Sequence, residues 1–134
     1  MKRIFDINNL HELLDLIHDQ YVDLDSIEFD SKVLKLDLKR EDINSLDYKV
    51  SRRFFFFKRI NYPIFLSKLI FKGVSSFRII DDHEIGIYSI NDYSVKDNNL
   101  TLNFCEITRL SIDFEDHIEI EISDSKRLHE YGPI

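Results

Sequence analysis

Leu10, Leu13, Leu14 and Ile17 recur at the three- and four-residue spacing of one helix face. Asn8 and Asn9, just before them, each carry a side-chain oxygen able to cap the first turn. The spacing predicts an N-terminal helix that ends near His18-Asp19. After it the period falls to two: Ile27 and Phe29 alternate with polar residues, Asp30-Ser31-Lys32 reads as a turn, and Leu34, Leu36 and Leu38 alternate again, as in a hairpin with one buried face. Glu41 to Tyr48 is polar and reads as a connection.

Val50 to Arg59 predicts a strand apolar on both faces, because the four consecutive side chains Phe54, Phe55, Phe56 and Phe57 cannot all point one way in a pleat. Pro63 should separate it from a strand over Ile64 to Val74, since proline donates nothing to a ladder, and Gly73 is placed to mark a bulge. A meander follows: Phe77 to Ile80, the polar turn Asp81-Asp82-His83-Glu84, then Ile85 to Val95, then Lys96-Asp97-Asn98-Asn99 leading into Leu100, Leu102 and Phe104. Leu110, Ile112 and Phe114 face Ile118, Ile120 and Ile122 in a predicted last hairpin around Glu115-Asp116-His117. With no repeat and no Gly- or Ser-rich linker, the pattern predicts one domain over residues 1–134. Its class is α+β, mostly antiparallel, with the helix packed on a curved meander or sandwich of roughly seven to nine strands.

Composition narrows the setting. At 134 residues, 43% hydrophobic and 13% aromatic, the chain has enough apolar surface to build one core. Cys105 is the only cysteine, which excludes an internal disulfide and a cysteine-built zinc site and fits a reducing, cytoplasmic setting. The N-terminus lacks the apolar run of a signal peptide. Lys58, Arg59, Asn61, Pro63 and Lys68 interrupt the most apolar segment, so no membrane span is expected.

Charge adds a contrast. The net charge of −7 argues against general affinity for nucleic acid or anionic membrane, so neither is an expected partner. Yet Lys49 to Lys72 holds seven basic residues and no acidic one, leaving 11 basic against 25 acidic residues, or −14, elsewhere. Arginines among aromatics can grip phosphates and stack bases. The commoner explanation of such a stretch is strand chemistry balanced by acidic neighbours. On the acidic side, Asp113, Glu115, Glu119 and Glu121 share the non-core face of the last hairpin, with Asp116 beside them. Like charges facing across strands cost stability unless lysine or arginine is interleaved. The other reading of this face is a docking surface for a basic protein partner, where charge reversal at Glu119 and Glu121 would slow association.

Candidate chemistry is sparse. His18-Asp19 could ligate a metal or move protons, but a histidine closing a helix and an aspartate turning the chain account for it. The Asp81-to-Glu84 run offers ligands in a row, which rarely converge on one ion. Cys105 reads as a small half-buried thiol. There is no G-x-S-x-G, no phosphate-cradling glycine loop and no H-E-x-x-H. No cofactor and no catalytic or metal residue is assigned.

His18-Asp19, the strand Ile27-Glu28-Phe29-Asp30 with its partner Leu34-Lys35-Leu36-Asp37-Leu38, and Phe71-Lys72-Gly73-Val74 together resemble several families of small, uncharacterised bacterial proteins. In those families a His-Asp pair precedes the first hairpin, an F-x-G-V phrase lies mid-chain and a terminal hairpin closes the domain. Some of their members look like immunity proteins that neutralise a cognate toxin. The resemblance implies an immunity-like module that neutralises a cognate toxin, with no catalytic residues carried over, and the acidic face adds that such a partner would be basic. Two other expectations stand beside it: a small-ligand or metal-dependent enzyme using His18, His83 or His117, and a homodimer or larger assembly joined through the Phe54 to Phe57 strand.

Overall fold

The chain enters through a short strand, β1 (Lys2–Phe5), and a 3-10 turn (Ile7–Asn9) before the helix α1 (Leu10–Ile17). The cap is Asp6 rather than Asn8 or Asn9. Its carboxylate accepts from the Asn8 N–H while the Asn9 side chain accepts from the Asp6 N–H, a reciprocal box that satisfies donors the first turn leaves open. The helix buries Leu10, Leu13 and Ile17, each contributing roughly 1.5–3 kcal/mol. It ends where the spacing predicts.

The rest of the computed structural model is strand: β2 (Tyr21–Asp30), β3 (Val33–Glu41), β4 (Lys49–Phe54), β5 (Phe57–Ile80), β6 (Ile87–Ser89), β7 (Asp92–Lys96), β8 (Asn99–Asn103) and β9 (Arg109–Gly132). The structure describes residues 2–41, 49–54, 57–81, 86–105 and 108–132, with the side chains of 49–63 and 125–132 outside the description. The predicted connection beyond Glu41, the residues Phe55 and Phe56, and most of the Asp81-to-Glu84 turn, His83 included, therefore lie outside it.

All pairings are antiparallel, in the order β6-β2-β3-β5-β9-β8-β7, with β1 added to β9 and β4 to β5. The two ends of that order, β6 and β7, are consecutive in the chain and separated only by Ile90 and Asn91. There the backbone changes partner. Ile90 exchanges hydrogen bonds with Asp19 and Gln20 beside β2, and the Asn91 N–H donates to the Asn103 carbonyl at the end of β8. The sheet is thereby curled almost onto itself. α1 lies at the opening, with Leu10, Leu13, Leu14 and Ile17 facing Tyr93, Leu100 and Leu102. One helix with a curved antiparallel sheet is the predicted class.

Inside the curl the period-two residues meet: Leu34, Leu36 and Leu38 of β3, Leu69 and Phe71 of β5, and Leu110, Ile112, Ile118, Ile120 and Ile122 of β9 form part of one contiguous core. At the next position of the β3 alternation the core turns polar. Arg40 is 7% exposed, its guanidinium 3.0 Å from the Asp124 carboxylate and 5.3 Å from the Phe65 ring, while the Ser67 hydroxyl donates to Asp124 at 2.7 Å. Beside it Glu41 has a buried carboxylate oxygen with no hydrogen-bond partner among the described residues, and burial raises its pKa.

Three sequence expectations are corrected. Pro63 does not break a strand: β5 runs through it, because it falls on one edge between the Lys49↔Asn61 and Ile64↔Glu41 pairings, where β5 passes from β4 to β3, and on the other edge at Pro63↔Tyr131, next to a register shift in the β9 ladder. Val50 to Arg59 is not one strand but the end of the β4–β5 hairpin, with Phe54 opposite Phe57. The last hairpin is not a hairpin either. Leu110 to Phe114 and Ile118 to Ile122 lie along the single strand β9, both paired with β5. Two smaller corrections follow from partner switching and bulging. Ile85 to Val95 divides into β6 and β7, and a register shift between Asp23 and Glu28 leaves Phe29 exposed while Val22 and Leu24 are buried.

Candidate functional site

The polar phrase Glu115-Asp116-His117 reads as a turn but is a bulge. Between Val74↔Phe114 and Lys72↔Glu119, β9 carries residues 115–118 against Gly73 alone on β5. Crowding in β9 is what makes Gly73 necessary. Its φ is +96°, and a Cβ there would stand 2.6 Å from the His117 carbonyl oxygen. Phe114 and Ile118 keep their place in the core on either side, so Glu115, Asp116 and His117 are pushed outward and all three are exposed.

A second strained element supports the bulge. The two-residue β2–β3 turn, Ser31-Lys32, has φ of 51° and 66°, left-handed values that normally call for Asn or Gly. Each such residue costs roughly 1–2 kcal/mol. The Lys32 carbonyl accepts from the N–H groups of Gly73 and Val74 at 3.0 and 2.9 Å, tying the turn to the bulge. Together they enclose a notch of roughly 150 Å³ lined by Lys32, Gly73, Ser75, Glu115, Asp116 and His117.

The five acidic residues singled out in the sequence all sit on β9, on one strand rather than across two. They fall into two groups. Glu121 is buried, 3.2 Å from the Lys2 ammonium and 3.9 Å from that of Lys72, and Glu119 is 3.5 Å from Lys72. These are the interleaved lysines that ordinary strand chemistry supplies. Asp113, Glu115 and Asp116 are exposed, and none forms an ion pair among the described residues. Asp113 accepts instead from the Ser76 hydroxyl at 3.0 Å and the Asn99 amide at 2.8 Å, bonds that lower its pKa and keep it an anion. The Asn98 amide donates to the Glu115 backbone carbonyl, and Glu115 itself is exposed.

Other candidates resolve as follows. His18 Nδ1 lies 3.3 Å from the Asp19 carboxylate, both exposed at the end of α1, and Asp19 turns the chain with φ of 63°. Cys105 is exposed rather than half-buried. Among the described residues no group of three or more His, Cys, Asp or Glu is arranged to hold a metal ion, and no helix is long and apolar enough to cross a membrane. Sequence reasoning missed a hollow of about 440 Å³ on the outer face, where Tyr21 and Ile87 stand more than half exposed beside Leu66, Asp23, Asp37 and Lys39. Tyr21 and Ile87 alternate out of phase with Val22 and Tyr88, and that phase was the available signal.

No protein-family model, curated protein or solved structure matches the chain.

Proposed function

We propose that the chain is a non-catalytic protein-binding module, an immunity- or antitoxin-like inhibitor, that docks a basic partner on the β9 bulge. One observation carries the reading: among the described residues Asp113, Glu115 and Asp116 form no ion pair, Arg78 acting on Asp113 only at longer range, while Glu119 and Glu121 on the same strand are held by lysines. A carboxylate cluster on a rigid strand, offered beside a notch, favours lysine or arginine of a partner and accelerates encounter. Glu119 and Glu121 take the structural part, so the docking weight rests on the other three.

The test is capture from lysate of the source cells with wild-type bait and with a Glu115→Lys/Asp116→Lys bait, at low and high salt. One basic partner should be retained by the wild type and lost both in the variant and at high salt. Its association rate should fall about tenfold in the variant. Equal retention by both baits would discard the bulge as the docking face, and recovery of the chain alone would discard the inhibitor reading in favour of self-assembly.

A further inference from the structure

The first part of the basic stretch forms a ribbon of its own. β4 and residues Phe57 to Asn61 of β5 pair only with each other among the described strands, and β4 has one edge to which no described strand is hydrogen-bonded. The register sets like against like: Arg52 stands opposite Arg59 and Arg53 opposite Lys58. Lys49 adds a further positive charge, and no acidic residue occurs from Lys49 to Lys72. Directly opposed like charges destabilise a ladder, so this ribbon carries positive charge that its own two strands do not neutralise.

An unpaired edge is a row of backbone donors and acceptors that accepts another strand. Charge decides which. A second copy of β4 would lay Lys49, Arg52 and Arg53 beside the same residues, adding repulsion to repulsion, so the edge is guarded against itself. An acidic strand would meet the opposite situation and relieve the Arg52↔Arg59 and Arg53↔Lys58 oppositions. We propose that β4 is a docking edge for an extended, acidic segment of a protein partner, added as a third strand over about six residues, a length of roughly 20 Å. The interface is independent of the β9 bulge and opposite to it in charge.

The experiment uses the full chain and a labelled eight-residue peptide with Glu on both faces of its strand (Val-Glu-Glu-Thr-Val-Glu-Glu-Thr), followed by fluorescence anisotropy and by amide exchange at β4. The peptide should bind, weaken with salt, and slow exchange of the β4 amides. A peptide of the same charge with a central proline, which cannot complete the ladder, should bind at least about tenfold more weakly. Arg52→Glu/Arg53→Glu should lose binding by a similar factor. Unchanged exchange at β9 would show that its body is intact, and Arg52→Gln/Arg53→Gln serves as the milder variant. Three outcomes would overturn the proposal: equal binding by the proline peptide, no slowing at β4, or binding only of polyuridylate or phosphatidylserine vesicles.

Discussion

Two stretches of β9 have nearly the same composition. Ile118-Glu119-Ile120-Glu121-Ile122 alternates apolar with acidic residues, Ile112-Asp113-Phe114-Glu115 does the same before Asp116 breaks the pattern, and each sends its apolar members into the core. Their acids fare differently because their neighbours on β5 differ. Glu119 stands opposite Lys72, whereas Asp113 stands opposite Ser76. In the first stretch the carboxylates are balanced within the ladder. In the second the bulge at residues 115–118 lifts Glu115 and Asp116 out of register, and among the described residues no lysine forms an ion pair with them, although Lys32 lines the same notch. Alternation alone puts a carboxylate on the outer face, and the cross-strand neighbour determines whether it is structural or available.

The largest effect is expected where the two stretches are separated. Gly73→Val would force a β-branched residue to a φ of +96° with its Cβ against the His117 carbonyl oxygen. The loss of stability should be about 2–4 kcal/mol in urea denaturation, with faster amide exchange at Val74. A variant as stable as the wild type would mean that β9 makes its bulge without help from Gly73, and the contrast between the stretches would lose its cause.

Much of this was legible in the sequence, and the failures share a reason. The helix face, the β2–β3 and β7–β8 turns, and the buried members of β3 and β9 follow from periodicity, which a single strand carries by itself. Glu115-Asp116-His117 and Pro63 look like punctuation, and both lie inside strands 24 residues long. Polar triplets serve equally as hairpin turns and as bulges, and the choice depends on whether a second long strand, here β5, runs alongside both halves. The same holds for the acids. That Glu121 is buried between Lys2 and Lys72 depends on β1 and β5 flanking β9, which no local pattern announces.

A middling effect tests the balance itself. Glu121→Gln should cost about 1 kcal/mol, less at high salt because Lys2 and Lys72 are themselves well exposed. Glu115→Gln should stay within about 0.5 kcal/mol of wild type at any salt. Thermal unfolding of both variants at 0.02 and 1 M salt is the check, and equal costs would mean that the lysines do not distinguish the two stretches.

The smallest effect lies in the acid limb of the stability curve, where two carboxylates pull in opposite directions. Hydrogen bonds from Asn99 and Ser76 depress the Asp113 pKa below its ordinary 3.8. Its contribution is therefore fully present above that value and is lost as the pH falls through the folded-state pKa. Glu41 behaves in reverse. Burial raises its pKa above 4.5, so the folded state is penalised at neutral pH, and the penalty is relieved as the pH falls through the raised value. Asn99→Ala should lower stability by a constant amount above pH 4.5 and flatten the fall below pH 3.8. Glu41→Gln should raise stability at neutral pH and leave the lower window intact. Urea midpoints taken from pH 2.5 to 7 separate the two windows. An Asn99→Ala curve that overlays the wild type would mean that the Asn99 bond does not hold Asp113 anionic, and would leave that end of the available stretch of β9 to the Ser76 bond.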